Sequence, residues 1–401
     1  MKKRRVVITG IGAMTPLGSS FKQSWEGLIG GRCGVDIVGG RVVGKITDAT
    51  GEAIQWDRYL PQRQRIRLDP FIHYAVAAAT MAVQDSTLDR TGLKGCAVIM
   101  GTSRGGVMRL SDALKDINNR GRLSSYLMSG TTPGMAASYL SEVFGTRGYT
   151  LGISNACASG ANAVGEAYRL ISDGYAEVAI TGGCDAPLCD ICIMGYEACR
   201  ALSRKDVSRP FDVKRDGFVL SEGAAVLILE EYGRALGRDA TVYAEIAAYE
   251  NSSDGHHQVR PDTTTQATAM LNAINTAGLT ARDIDHVNAH GSSTRLGDLS
   301  EATAIREVFK ETLSDLPVTA NKAATGHMLA ASGAFELAST AMTIREGIIP
   351  PTVNVDDLDP DCLMNLIREP IKITVKTALS NSFGFGGANA VIILKKCEGS
   401  T

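Results

Sequence analysis

Residues 157–174, CASGANAVGEAYRLISDG, decide the fold, because residues 330–347, AASGAFELASTAMTIREG, repeat their character. Each is a helix-length run that opens on alanine, serine and glycine and closes on a glycine, a C-cap signal. Helices this thin pack backbone to backbone between two sheets, where leucine or phenylalanine would not fit. Working outward, FIHYAVAAATMAVQDSTL (71–88) followed by CAVIMGTSRGG (96–106) has the order of TQATAMLNAINTAGL (265–279) followed by IDHVNAHGSS (284–293). GAAVLILEE (223–231) matches NAVIILKK (389–396) as a closing strand. Alternating β-rich and alanine-rich runs predict an α/β protein with buried sheets. The four echoes, in one order, predict a duplicated fold with halves 1–238 and 239–401, joined through YGRALGRDA (232–240).

Composition excludes several classes of function. The chain has 401 residues, 44% hydrophobic and 21% charged, as in ordinary globular proteins. A net charge of −2 gives no global attraction to nucleic acid or to acidic lipid. The start, MKKRRVVITGIGAMTPLG (1–18), reads as a strand entering a glycine turn rather than as a signal peptide. No stretch is long and apolar enough to span a bilayer, so a cytoplasmic protein is expected. The nine cysteines lack regular spacing, and Cys184, Cys189 and Cys192 lack a second ligand pair. Reduced thiols and no metal are therefore expected.

Against that background Cys157 is unusual. It stands where a loop enters a buried helix, and a helix N-terminus favours thiolate over thiol. Two of the six histidines occupy motif-like settings. His290 follows a predicted strand in VNAHGSSTRLGD (287–298), and His327 precedes the second small-residue helix in TGHMLAASG (325–333). A pseudo-twofold relation between the halves would bring Cys157 and His327 face to face.

With RRVVITGIGAMTPLG (4–18), SRPFDVKRDGFVLSEGAAVLILEE (208–231) and NSFGFGGANA (381–390) in order around this set, the chain resembles the elongating β-ketoacyl-acyl-carrier-protein synthases of the thiolase superfamily. The resemblance covers nearly the whole chain. It implies a five-layer αβαβα fold, with two mixed sheets around the buried small-residue helices. It also implies a ping-pong condensation in which Cys157 takes the acyl group and His290 and His327 stabilise the enolate of malonyl-acyl carrier protein. Lys322 and Glu336 would support them electrostatically. Phe383 would contribute a backbone N–H to the oxyanion hole, with Cys157, and its ring as a gate over the acyl pocket. Ser292 and Thr294 would hold the phosphopantetheine arm of acyl carrier protein, no cofactor being bound. Arg63, Arg65 and Arg67 in LPQRQRIRLDPFIHYA (60–75) would dock the acidic carrier. A homodimer is expected, a heterodimer of related subunits being the alternative.

Three departures bear on the substrate. Arg104, in GTSRGG (101–106), stands where fatty-acid enzymes carry isoleucine or glycine, which makes it a substrate-contact candidate. The loop SSDGHHQVRPD (252–262) keeps a histidine, His257, a further substrate-contact candidate, in an otherwise altered setting, and Arg295 replaces a common proline. These keep open a specialised type II polyketide or polyene ketosynthase. A non-condensing partner subunit would lack the cysteine that Cys157 supplies. A thiolase would carry a second cysteine in the C-terminal glycine-rich motif, where NSFGFGGANA has none.

Overall fold

The computed structural model describes residues 3–46, 54–205 and 207–397. Ten strands form the main sheet: β1 (Val6–Met14), β2 (Ala97–Gly101), β3 (Thr150–Ile153), β4 (Val178–Asp185), β5 (Gly223–Glu231), β6 (Ala244–Ser253), β7 (His286–Asn288), β8 (Val318–Thr319), β9 (Thr377–Gly384) and β10 (Ala388–Lys395). From the middle outward one side runs β1-β5-β4-β2-β3 and the other β6-β10-β9-β7-β8. Both sides share one pattern, two antiparallel pairings followed by two parallel ones. The two mixed five-stranded halves meet edge to edge, where β1 pairs with β6 through Val6↔Ile246, Val7↔Glu245 and Ile8↔Ala244.

The strands read as unbroken apolar runs because both faces are covered. In β5, Leu227 and Leu229 face the central layer, while Val226 and Ile228 face an outer layer with helix Pro70–Ser86. In β10, Ala390, Ile392 and Leu394 face the centre, while Val391 and Ile393 meet helices Thr263–Thr276 and Arg295–Phe309. The period of two thus feeds three separate cores.

Helices Ser159–Ser172 and Ala330–Glu346 fill the centre, as their small residues predict. The reason for glycine is direct at Gly160 and Gly183. A Cβ there would lie 2.0 Å and 2.2 Å from the carbonyl oxygen of Ala330. Among the described residues no helix is long and apolar enough to cross a membrane.

Candidate active site

Cys157 sits in a one-turn 3-10 helix, Ala156–Ala158, that runs directly into the first central helix. Ala156, with φ 49°, occupies the left-handed region, which costs a non-glycine residue roughly 1–2 kcal/mol. The turn is held by Ser159 Oγ, which accepts from Asn155 N at 2.7 Å and donates to Ala156 O at 2.6 Å. Gly384, ending β9, lies against the same turn, so close that a Cβ would meet Asn155 O at 2.9 Å. This approach sets the Phe385 backbone N–H beside the Cys157 sulfur, where it favours the charged form. The expectation for Phe383 is corrected accordingly. Phe383 lies two residues earlier, buried and paired with Asn389 in the strand ladder, and its ring packs on His290 at 6.0 Å between centroids.

Burial pushes the Cys157 thiol up to about 11, and Asp185 adds to the rise; Lys322, Arg104 and the Phe385 N–H pull against it. The expected resting thiolate is therefore corrected to a protonated thiol. Desolvation outweighs the helix N-terminus here.

His290 and His327 approach each other edge to face, with ring centroids 5.4 Å apart. Both are buried. Desolvation, helped by Lys322, holds both imidazoles well below the ordinary range, so both are neutral near pH 7. Their tautomers follow from their partners. Lys322 Nζ has three protons and no lone pair, and it donates to His290 O at 2.6 Å, to Glu336 Oε1 at 2.5 Å and to His290 Nδ1 at 3.3 Å. His290 Nδ1 is thus an acceptor, and its proton is on Nε2. The Leu329 N–H donates to His327 Nδ1 at 3.2 Å, which fixes the same tautomer there. Two Nε2–H donors remain for the cavity.

The frame behind these rings is acidic. Glu301 accepts from the backbone N–H groups of His290 and Gly291, both at 2.8 Å, and from Asn381 at 3.0 Å. Asp298 accepts from the N–H groups of Phe211 and Ser293. Burial pushes Asp298 and Glu336 each up to about 7, against the pull of hydrogen-bond donors and Arg215 on the first and of Lys322 on the second. His327 is pinned through its backbone: its N–H donates to Val219 O at 2.7 Å, and its carbonyl accepts from Ser221 N at 2.9 Å. Neither Glu301 nor Asp298 stood out in the sequence, since an acidic pair on a helix of ordinary composition carries no pattern.

Cys157, His290 and His327 line one cavity of about 280 Å³, together with Ser292, Thr294 and Phe383. Ser292 Oγ and Thr294 Oγ1 are 2.9 Å apart, and Thr294 caps helix Arg295–Phe309 by accepting from Gly297 N. Residues 3–235 match the family described as "Beta-ketoacyl synthase, N-terminal domain", and residues 243–356 match "Beta-ketoacyl synthase, C-terminal domain". The chain belongs to the β-ketoacyl synthase family. Two relatives named 3-oxoacyl-[acyl-carrier-protein] synthase 2 are 35% identical (Staphylococcus aureus) and 36% identical (Synechocystis sp.), each match covering 99% of both chains. Among solved structures, a β-ketoacyl synthase from Burkholderia phymatum is 32% identical with a TM-score of 0.90, covering 98% of this chain and 100% of that one. The ishigamide ketosynthase/chain length factor reaches a TM-score of 0.92 at 29% identity over the same shares. A type II polyketide ketosynthase, solved in complex with its acyl-carrier protein, reaches 0.90 at 29%, again over the same shares.

Of the remaining residues singled out in the sequence, Arg295 lines this cavity of the β-ketoacyl synthase centre, whereas His257, Arg104, Arg63, Arg65 and Arg67 do not. His257 is corrected: it is exposed and does not line the cavity, and its Nδ1 accepts from Val259 N and Arg260 N to close its own loop. Its neighbours Gln258, Val259 and Arg260 do line the cavity. Arg104 is exposed and donates from Nε to the Tyr196 hydroxyl at 2.8 Å. Arg65 pairs with Asp57 at 3.1 Å, and the Arg67 guanidinium lies 4.4 Å from the Tyr126 ring centroid. Arg63 is exposed. Among the described residues no cluster of three or more His, Cys, Asp or Glu could hold a metal ion.

Proposed function

We propose that this chain catalyses decarboxylative Claisen condensation of an acyl thioester with malonyl-acyl carrier protein, giving β-ketoacyl-acyl carrier protein in fatty-acid-type elongation. One observation carries the reading: a thiol and two neutral imidazoles, each with its donor on Nε2, converge on a single cavity. In the first half-reaction the Cys157 sulfur attacks the acyl carbonyl of acyl-carrier protein. The bond to the phosphopantetheine sulfur breaks, and that sulfur leaves with the proton of the Cys157 thiol. The N–H groups of Cys157 and Phe385 flank the sulfur and form the oxyanion hole for this step.

In the second half-reaction malonyl-carrier protein loses carbon dioxide, and the electron pair of the broken bond becomes an enolate. His290 and His327 donate their Nε2 protons as hydrogen bonds to the enolate oxygen. Two preorganised donors in a buried site stabilise developing charge far better than water does. The enolate carbon then attacks the acyl carbonyl, and Cys157 leaves as thiolate and regains a proton from solvent. Lys322 is a positioning residue: its ammonium sets the His290 tautomer, and Glu336 balances its charge. Ser292 and Thr294 hold the phosphopantetheine arm, and no cofactor enters the chemistry.

Residues 1–238 and 239–401 act as two thiolase-like halves, the first carrying the nucleophile and the second the imidazoles. Acyl carrier protein is the partner, docked by the segment of Arg63, Arg65 and Arg67, of which Arg63 is exposed. A homodimer is supported by β3, an edge strand with alternately exposed residues beside the exposed Tyr149. Such an edge is a template for pairing with a second copy. The protein works in the cytoplasm. A specialised type II polyketide or polyene ketosynthase, alone or in a heterodimer, is the second reading. It is favoured by the likeness to a ketosynthase/chain length factor and to a type II polyketide ketosynthase, and by Arg104 near the thiol.

The test is intact-mass measurement after incubation with acyl-carrier protein. The native enzyme is expected to gain the acyl mass and Cys157→Ala to gain none. An equal adduct on Cys157→Ala would refute the assignment of the nucleophile.

A further inference from the structure

An acyl group on Cys157 needs space that leaves the two imidazoles free. The thiol packs into an apolar cluster with Cys192, Ile193, Tyr196, Phe218 and Leu329, bordered by Val107 and Met108. A row of rings leads into it from the imidazole: Phe218 stands edge-on to His327 at 5.1 Å, and Tyr196 edge-on to Phe218 at 5.3 Å. Tyr196 lines the cavity, and Arg104 stands behind it. Arg104 Nε donates to the phenol oxygen at 2.8 Å, and its guanidinium carbon lies 5.1 Å from the ring centroid.

The backbone of this pair is fixed to the frame of the site. Buried Asp185 accepts from the N–H groups of Ser103 and Arg104 and from Ala330 N, the first residue of the second central helix. Arg104 therefore has little freedom to retreat at its backbone, whereas among the described residues its side chain hydrogen-bonds only the phenol. A guanidinium carries five N–H donors. Among the described residues the Nε donor reaches Tyr196, and no carboxylate forms an ion pair with Arg104. Burial keeps the Tyr196 hydroxyl protonated, so its own O–H remains available as a donor beside the thiol.

We infer that Arg104 and Tyr196 form a hydrogen-bonded latch on the acyl side of the cavity, and that it selects acyl chains bearing an acceptor oxygen over saturated chains of equal length. The inference rests on acyl transfer to Cys157 as proposed above. A saturated chain that passes the latch parts the Arg104–Tyr196 bond and strips water from the guanidinium, leaving donors without partners. A keto carbonyl or a carboxylate at that point replaces the lost acceptor. A site built to hydrogen-bond a substrate group rejects the analogue that lacks it far more strongly than an apolar pocket rejects an extra methylene.

The experiment offers octanoyl-, 7-oxooctanoyl- and suberyl-carrier protein to the native enzyme, to Arg104→Met and to Tyr196→Phe. The rate of mass gain at Cys157 is divided in each case by the acetyl rate on the same protein. Tyr196→Phe keeps the ring and removes only the hydroxyl, so it reads the latch with little disturbance to packing. The native enzyme is expected to take at least one oxygenated primer about tenfold faster than octanoyl, and both variants to narrow that preference to less than about threefold. A gain confined to the suberyl primer identifies the acceptor as a carboxylate, and one confined to the oxo primer identifies a ketone. Indifference or an octanoyl preference in the native enzyme overturns the latch, as does a preference that survives both substitutions. Failure of native enzyme to take even acetyl would contradict acyl transfer itself and would take the latch with it.

Discussion

The helix of residues 159–172 and its counterpart of residues 330–346 are both approached through a non-glycine residue in the left-handed region, Ala156 at φ 49° and Leu329 at φ 50°. Their surroundings then diverge. The first presents a half-buried thiol from a strained turn, and its C-terminal turns reach solvent at Arg169. The second is buried from Ala330 to Ile344, carries Glu336 and borders Lys322 and the two imidazoles. The group that must change covalent partner stands on the half-buried turn that opens the first helix. The groups that must meet a developing negative charge stand in a rigid, desolvated frame. Preorganised donors need such a frame, because they gain only if they need not rearrange during reaction.

Breaking the frame on the imidazole side has the largest expected effect on stability. Lys322→Ala leaves Glu336 buried without its cation and is expected to lower unfolding free energy by roughly 3–5 kcal/mol, read by denaturant titration. Lys322→Met combined with Glu336→Gln is expected to recover part of that loss, since a neutral pair avoids the unpaired charge. An unchanged midpoint in Lys322→Ala would mean that the frame is not stressed by charge. Next comes the seam between the helices. A Cβ at Gly160 would lie 2.0 Å from Ala330 O, a backbone atom that moves only with its helix. Gly160→Ala is expected to cost about 1–3 kcal/mol in thermal or denaturant unfolding and to slow Cys157 acylation. Native-like stability there would show that the two helices have more slack than their backbones allow.

The smallest effect is that of pH. Both imidazoles are held well below their ordinary range, so they are neutral above about pH 6 and gain no proton as pH falls from about 8 to 6. Glu336 and Asp298, pushed up to about 7, take up protons over that interval and loosen the frame, so carbon dioxide release is expected to fall only modestly, by less than about threefold. A tenfold fall towards pH 6 would place an ordinary, solvated imidazole in the site instead.

Much of this comparison was legible in the sequence. The echo of small-residue helices, the matched closing strands and the two histidine motifs all rest on local composition, and the central helices and closing strands lie where those runs predict. What was not legible depends on distant partners. Nothing local says that β1 and β6 join the halves into one sheet, or that the Phe385 N–H, two residues beyond Phe383, reaches the sulfur. The height of the thiol's pKa follows from how much water the fold removes, which a helix-terminus argument omits. His257 stands in a family-like loop, yet it bonds that loop's own backbone rather than facing the cavity. Glu301 and Tyr196 carry no sequence pattern, and their importance is visible only once their hydrogen bonds are.

The division of labour between the halves is tested most directly by carbon dioxide release from malonyl-carrier protein, measured on enzyme acylated beforehand at Cys157. His290→Ala and His327→Ala are each expected to accept the acyl group and to release carbon dioxide about 100-fold or more slowly than native enzyme. Release at the native rate in either variant, or loss of acylation along with it, would contradict a site in which one half holds the nucleophile and the other stabilises the enolate.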